Sequence, residues 1–176
     1  MIHVVLYEPE IPQNTGNIIR TCMATNSILH MIKPYGFFFD EKHLKRAGMD
    51  YIENTEIHEY LNWEDFIEKN QPKNIYFSTR YGHKSADKFN FKECGEDIYL
   101  VFGKESTGIP KHILKQHLDD CIRLPMNPEA RSLNLSNCVA ILVYEVLRQL
   151  DYPGLSLDES QKGKDFLERN EWDENS

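Results

Sequence analysis

Short apolar runs alternate with helical stretches along most of the chain, and this alternation constrains the fold more than any other feature. The apolar runs are rich in β-branched and aromatic residues, which is typical of buried strands; they lie at Ile2–Tyr7, Ile28–Lys33, Ile75–Thr79, Ile98–Phe102 and Cys121–Leu124. Helical spacing is found at Thr15–Asn26, Glu41–Ala47, Trp63–Asn70, Pro110–Gln116 and Leu135–Leu150. Alternating strands and helices predict an α/β fold, with a mostly parallel sheet and helices on both faces.

The bulk composition is that of an ordinary globular protein. A chain of 176 residues fits a single domain. No apolar run approaches the ~18 residues of a membrane span, so no membrane partner is expected. The segment Met1–Tyr7 lacks the basic region and cleavage site of a secretory signal, which favours the cytoplasm. The four cysteines have no Cys-x-x-Cys spacing and are expected to be buried, reduced thiols.

The net charge of −8 disfavours a protein that holds nucleic acid by bulk electrostatics. The charge is uneven, because seven acidic and three basic residues from Asp158 onward contribute half of it. We therefore expect a folded domain over residues 1–154 and a polar, acidic tail over residues 155–176 that carries no chemistry.

The predicted helix Leu135–Leu150 is apolar on most of its circumference and must be buried on most of it. One stripe holds Leu135, Val139, Leu142, Val143, Val146 and Leu150, and a second holds Cys138, Ile141, Tyr144 and Leu147. In a domain this small, the second stripe favours packing against another subunit, so a homodimer is expected. The alternative is complete burial within one chain.

Three polar segments each follow a predicted strand, where α/β proteins place their ligand sites. The first, Glu8–Arg20, runs from a strand through a Pro- and Asn-rich turn into a helix. Such a helix start offers free backbone N–H groups to an anion, and Arg20, about one turn in, offers a planar fork for phosphate. The simpler interpretation is an N-cap at Asn14 or Thr15 with a surface arginine.

The second segment, Val101–Pro110, opens a buried strand into a loop bracketed by Gly103 and Gly108, which favours close approach of backbone and ligand. It is not a Walker A loop, because Ile109 and Pro110 stand where the lysine and hydroxyl residue belong. The Gly-x-Gly-x-x-Gly fingerprint is absent too, which counts against the alternative of a dinucleotide-dependent oxidoreductase.

The third segment, Ile122–Asn137, joins a Pro-punctuated loop to the long apolar helix. Its cluster of Ser132, Asn134, Ser136 and Asn137 exceeds what one N-cap needs, so the surplus suggests a ligand or a tightly threaded backbone. His112 and His117 point different ways on a helix, and no metal site is predicted.

Together these segments resemble the three ordered motifs of the SPOUT class of S-adenosylmethionine-dependent RNA 2′-O-methyltransferases. The resemblance covers residues 1 to about 154. The motifs are Asn14–Arg20, Phe102–Pro110, and Ile122–Met126 with Arg131–Asn137. Two further segments, Leu6–Pro12 and Lys45–Tyr51, narrow the resemblance to the small branch similar to tRNA wobble-nucleotide (cytidine or uridine) methyltransferases.

The resemblance implies a deep C-terminal trefoil knot, dimerisation through the last helix, and S-adenosylmethionine as cofactor, with S-adenosylhomocysteine as product. By position, the cofactor-binding residues are Ser78, Thr79, Gly103, Leu124, Met126, Ser132 and Leu133. The implied reaction is attack of a ribose 2′-hydroxyl in a tRNA anticodon loop on the cofactor's methyl group.

The resemblance also implies catalytic residues, namely Arg20, Glu105, Ser132 and Asn134. The family assigns the proton acceptor to the position of Arg20, but an arginine is almost always protonated, so orienting a phosphate and stabilising the developing alkoxide suit it better. Substrate contacts are expected from Asn14, Arg20, Lys42 and Arg46, where Lys42 and Arg46 belong to a basic cluster with His43 and Lys45, joined by Arg80 and Lys84.

Two departures from the family pattern concern the substrate: Thr107 stands where some relatives carry arginine, and Lys104 where they carry proline. Two functional alternatives remain open. One is 2′-O-methylation of another RNA, and the other is a non-catalytic RNA- or cofactor-binding relative.

Overall fold

The computed structural model describes residues 1–40, 42 and 50–169. These residues form six strands: β1 (Ile2–Tyr7), β2 (Ile28–Ile32), β3 (Ile57–Tyr60), β4 (Ile75–Ser78), β5 (Ile98–Phe102) and β6 (Cys121–Ile122). They make one parallel sheet in the order β3-β2-β1-β5-β4-β6. The predicted α/β fold with a parallel sheet is confirmed.

Strand β3 was not predicted from the sequence. It contains only Ile57, His58, Glu59 and Tyr60, lies at the sheet edge, and exposes its two central residues. An edge strand needs only one apolar face, so its sequence carries no buried run. Three strands were predicted slightly too long at their carboxyl ends. Lys33 lies beyond the end of β2, Thr79 beyond β4, and Arg123 and Leu124 beyond β6.

Four α-helices are described: α1 (Pro12–Ala24), α2 (Trp63–Asn70), α3 (Lys111–Leu114) and α4 (Leu135–Gln149). The predicted bounds of α2 are correct. The predicted start of α1 at Thr15 is wrong, because Pro12 begins the helix and its fixed φ suits a first turn. The predicted Pro110–Gln116 shortens to α3, and the predicted end of α4 at Leu150 lies one residue late. The predicted helix Glu41–Ala47 lies outside the described residues except Lys42, which is helical and exposed.

The core consists of two clusters that share the strands. Val4 and Leu6 of β1 belong to the first, together with buried residues of α1 and α4. Val5 lies between them in sequence and belongs to the second, which includes Phe66 of α2 and Ile113 of α3. Side chains alternate along a strand, so each cluster takes every second residue.

Helix α4 is less completely buried than its sequence suggested. Val139, Leu142, Val143, Val146 and Leu147 are buried, whereas Ile141 and Tyr144 are each 47% exposed. Leu147, assigned to the second stripe, is buried inside this chain. The alternative of complete burial within one chain is therefore wrong for Ile141 and Tyr144.

All four cysteines are free thiols. Cys22 and Cys121 are buried as expected, but Cys94 and Cys138 are only partly buried. Among the residues that the structure describes, no group of histidine, cysteine and carboxylate side chains could hold a metal ion. No helix within the same residues is long and apolar enough to cross a membrane.

Candidate functional site

The three polar segments meet at one edge of the sheet. They follow β1, β5 and β6, and all strands are parallel, so their carboxyl ends lie at the same edge. There they enclose a cavity of about 650 Å³, lined by residues of all three segments and by residues 78–81 at the carboxyl end of β4. This volume lies within the range of sites for small organic ligands and cofactors.

Asn14 connects the three segments. It is buried in the first turn of α1, where its Nδ2 donates to Oε1 of Glu105 at 3.3 Å. Its Oδ1 accepts a hydrogen bond of 2.9 Å from Nδ2 of Asn134. One amide thus links the segment after β1 to the segments after β5 and β6, and the three are held in register at the cavity.

Glu105 caps helix α1 from a neighbouring loop. Its Oε2 accepts from the backbone N–H of Glu10 at 2.9 Å, and its Oε1 accepts from that of Ile11 at 3.1 Å. A carboxylate at a helix N-terminus satisfies unpaired donors and interacts favourably with the helix dipole.

Two findings concern the expectations for the first segment. Glu105 takes the backbone N–H groups of Glu10 and Ile11, which precede the first helical residue, so these two donors are not free for a phosphate. The N-cap is Ile11 rather than Asn14 or Thr15, and it has no side-chain cap. Thr15 lies inside the first turn, and its hydroxyl is buried without a hydrogen-bond partner in the described part of the chain.

A second set of contacts joins the segments after β1 and β5. Ser106 donates from its backbone N–H at 3.0 Å and its hydroxyl at 2.6 Å to Oε1 of Glu10, and these bonds lower the pKa of the Glu10 carboxyl. Lys104 donates to Oε2 of Glu8 at 2.8 Å, which raises the pKa of the lysine. Because Lys104 is paired within the chain, it is not a free phosphate contact.

Asn134 is the N-cap of α4. Its Oδ1 accepts from the backbone N–H of Ser136 at 2.9 Å and from the Ser136 hydroxyl at 2.6 Å. Since the same side chain donates to Asn14, it fixes the direction of α4 relative to the cavity. This accounts for two of the surplus polar residues of the third segment, whereas Ser132 and Asn137 remain exposed.

The loop after β5 depends on its two glycines. A Cβ at Gly103 would lie 2.2 Å from the carbonyl carbon of Gly108, a distance that backbone atoms cannot accommodate. Gly108 has φ of +73°, in the left-handed region that favours glycine. The loop therefore folds back on itself, and the backbone N–H of Gly108 donates to the carbonyl of Lys104 at 2.9 Å.

The structure brings most of the predicted site residues together. Asn14, Glu105 and Asn134 line the cavity. All the residues predicted to bind the cofactor line it too, namely Ser78, Thr79, Gly103, Leu124, Met126, Ser132 and Leu133. Arg20 and Lys42 do not line it and are exposed elsewhere. Arg20 lies about two turns into α1 rather than one. Arg46 falls outside the described residues.

Several residues at this edge were not predicted to belong to the site. Glu8 and Glu10 bind the loop after β5, and Tyr81 and Cys138 line the cavity. Arg80, predicted only as part of the basic cluster, also lines the cavity. Burial raises the pKa of the Cys138 thiol, which stays neutral near pH 7. Two acidic residues directly after β1 were a usable signal, but pairing them with Lys104 and Ser106 requires knowing that β1 and β5 are neighbours.

The cavity lining combines apolar and polar side chains. Phe102, Ile109, Leu124 and Leu133 supply apolar walls, while hydroxyl and amide side chains stand at other points of the lining. A site built by loops at the carboxyl edge of a parallel sheet, with few charges inside it, is typical of α/β proteins that bind a nucleoside-containing cofactor.

The chain belongs to the SpoU rRNA Methylase family, whose family model matches residues 1–144. The resemblance to SPOUT-class RNA methyltransferases is thereby confirmed. A tRNA (cytidine(34)-2′-O)-methyltransferase of Escherichia coli (strain K12) is 45% identical over 158 residues, which make up 89% of this chain and 99% of the relative.

Solved structures agree with this assignment. A protein from Bacillus anthracis has a TM-score of 0.86 at 49% identity, covering 90% of this chain and 100% of that one. A structure concerned with 2-OH methylation of C/U34 on tRNA has a TM-score of 0.78 at 38% identity, covering 86% and 97%. An AdoMet-bound rRNA methyltransferase from Sinorhizobium meliloti has a TM-score of 0.73 at 25% identity, covering 85% of this chain and 56% of that one.

Proposed function

We propose that this protein transfers a methyl group from S-adenosylmethionine to the ribose 2′-hydroxyl of the wobble nucleotide, cytidine or uridine, of tRNA. One observation carries the proposal: the family's three motifs converge on a single cavity, in a chain 45% identical to a tRNA (cytidine(34)-2′-O)-methyltransferase over nearly the whole length of both.

The cavity lining suits S-adenosylmethionine. Leu124, Met126 and Leu133 offer an apolar surface for an adenine ring, and Ser78 and Thr79 offer hydroxyls at its other side. Gly103 lines the cavity without a side chain, so its backbone is available to the cofactor. An AdoMet-bound solved relative of the same fold supports this choice of cofactor.

Bound S-adenosylmethionine supplies an electrophilic methyl group, and the chain's own residues would position the attacking hydroxyl. Holding the two reacting groups in line can contribute much of the acceleration of such a displacement. We assign Ser132 and Asn134 to the wall nearest the ribose. Glu105 holds the first segment in place through Asn14 and α1, so its role in this proposal is positioning rather than proton transfer.

Arg20 would orient a substrate phosphate and stabilise the developing alkoxide. It is exposed on α1, outside the cavity of its own chain. An exposed guanidinium offers a planar set of donors to phosphate. Lys42, exposed near the carboxyl edge, and Arg46 would extend this contact along the anticodon loop.

Two further features of the fold belong to the proposal. We propose that helices cover both faces of the sheet, since the two core clusters take different helices, α1 and α4 in one and α2 and α3 in the other. We propose the trefoil knot, supported by the close contact of residues 79–84 with β6: Arg123 donates to the carbonyl of Lys84, and a Cβ at Gly82 would lie 2.9 Å from the backbone of Arg123.

We also propose a homodimer through α4, with a working location in the cytoplasm, where tRNA is found. Ile141 and Tyr144 are apolar, 47% exposed, and adjacent on one face of the helix. Burying two such side chains against a second copy would remove apolar surface from water. The domain of residues 1–154 and the acidic tail 155–176 remain our proposed division of the chain.

The test uses labelled S-adenosylmethionine and tRNA transcripts that differ at one atom. A transcript with a 2′-hydroxyl at the wobble position should accept label, and one with 2′-deoxycytidine there should not. Label in both transcripts would mean that another position or another RNA is the true target. Label in neither, with a cofactor-binding protein, would favour a non-catalytic relative.

A further inference from the structure

Phe38 stands out among the apolar side chains because it is 96% exposed. It belongs to the loop after β2, where three other aromatic residues behave in the opposite way. Tyr35, Phe37 and Phe39 are partly buried against the core, and the rings of Phe37 and Phe39 lie 5.8 and 6.1 Å from that of Tyr35. The loop therefore has a packed aromatic base and presents one ring to solvent.

The loop is fixed beside the candidate site. The backbone N–H of Gly36 donates to the carbonyl of Pro9 at 2.9 Å, and a Cβ at Gly36 would lie 2.8 Å from the Cα of Glu10. Glu10 in turn binds Ser106, which lines the cavity. Since two residues span at most about 7 Å, Phe38 lies close to this rim.

The charges near Phe38 indicate which part of an RNA could approach it. Glu10 carries negative charge on this side, Lys104 is paired with Glu8, and Lys33 lies 3.6 Å from Glu59, whereas Lys42 is exposed four residues further along the chain. A phosphate is therefore better placed at Lys42 than at the Phe38 ring, whose uncharged face suits a base. An exposed aromatic ring is the side chain on which unpaired bases stack.

We propose that Phe38 stacks against an unpaired base of the anticodon loop, next to the nucleotide being methylated. The inference rests on the proposed function and adds a residue to its substrate recognition. A base stacked outside the cavity would hold the loop while the target ribose enters. Phe38 is thus a positioning residue for the RNA and does not touch the cofactor.

The test compares four proteins: wild type, Phe38→Ala, Phe38→Trp and, as a matched control, Leu167→Ala, whose side chain is 93% exposed in the tail. Each is titrated into an anticodon stem-loop that carries 2-aminopurine beside the wobble position. Stacking quenches this fluorophore, so the readout does not depend on turnover. Alanine-scanning values for base stacking correspond to roughly a 5- to 100-fold loss of affinity.

We expect Phe38→Ala to lose the quenching and to raise KM for tRNA within that range, with kcat and cofactor affinity nearly unchanged. Phe38→Trp should restore both, and Leu167→Ala should match the wild type. Equal quenching and KM in the wild type and Phe38→Ala would overturn the proposal while leaving methyl transfer in place. A Phe38→Ala protein with an altered oligomeric state would also overturn it, because the ring would then belong to a subunit interface.

A failure of the proposed function has a different signature. Quenching that depends on Phe38, without methylation of the wobble nucleotide, would uphold the stacking contact and refute the reaction. A wild-type protein that neither binds nor quenches the stem-loop would refute the stacking contact itself.

Discussion

Lowering the pH should destabilise this protein well before its carboxylates titrate, because of a buried histidine pair. His30 is 2% exposed; its Nε2 lies 2.8 Å from Nδ1 of His3, and its Nδ1 lies 2.7 Å from the hydroxyl of Tyr60. His3 continues the chain of contacts to Asp97 at 3.2 Å. The ring of His58 stacks on the other side at 5.5 Å, and Tyr99 and Phe66 complete the surroundings.

Burial, assisted by the charges of His3 and His58, lowers the pKa of His30 from 6.5 to about 3. Burial lowers the pKa of His3 as well, against the opposing effect of Asp97. Both rings are neutral in the folded protein near pH 7. In the unfolded chain they titrate near 6.5, so their contribution to stability is complete above that pH and is lost as the pH falls toward the folded pKa.

At pH 5 the unfolded chain has gained a proton on His30 that the folded protein does not hold. At 1.36 kcal/mol per pKa unit, His30 alone lowers the free energy of unfolding by about 2 kcal/mol between pH 7 and pH 5. His3 adds to this loss in the same direction. Glu10, Asp65 and Glu145 have lowered pKa values and remain ionised in this window, so they do not contribute.

The assay is urea unfolding followed by circular dichroism at half-unit steps from pH 7.5 to pH 5. The wild type should lose at least 2 kcal/mol. His30→Gln should lose clearly less over the same range, whatever its stability at pH 7. The control His112→Gln, at an exposed position, should keep the wild-type slope. If His30→Gln and the wild type have the same slope, the buried neutral pair is not the cause.

Three further changes test the site. Glu105→Gln should lower the free energy of unfolding by about 1 kcal/mol in urea titration, because the cap of α1 loses its charge; an unchanged midpoint would refute the cap. Gly103→Ala should cost roughly 3 kcal/mol and abolish cofactor binding in calorimetry, since its Cβ has no room, and normal binding would contradict this. Arg20→Ala should reduce single-turnover methyl transfer about 100-fold without changing the cofactor Kd, and a weakened Kd would place Arg20 in the cofactor site instead.

The sequence predicted the parts of the fold that depend on burial. Strand Ile98–Phe102 is apolar throughout and all five of its residues are buried, and it was predicted with correct bounds. Strand β3 was missed because an edge strand with an exposed His58 and Glu59 has no such signature. The start of α1 was misplaced although Pro12 is a local signal for a first turn. The contact of Glu105 with Ile11, 94 residues away in sequence, is encoded by no local pattern.

Part of the site could likewise be predicted from the sequence, and part could not. That three polar segments converge follows from their common position after parallel strands, whereas the individual cavity residues were predicted from the resemblance to SPOUT-class methyltransferases. The contacts that join the segments could not be predicted, because they require the order of strands in the sheet. Asn14 illustrates the difference: its place in the first segment was evident, but its bonds to Glu105 and Asn134 depend on which strand ends are neighbours.

The most direct test of the account is nucleoside mass spectrometry of tRNA from a strain lacking this protein, before and after incubation with the purified protein and S-adenosylmethionine. The account predicts a 2′-O-methylated wobble cytidine or uridine that appears only after incubation and is absent with the Asn134→Ala variant. Methylation at any other nucleotide, or none by a protein that binds the cofactor, would contradict it.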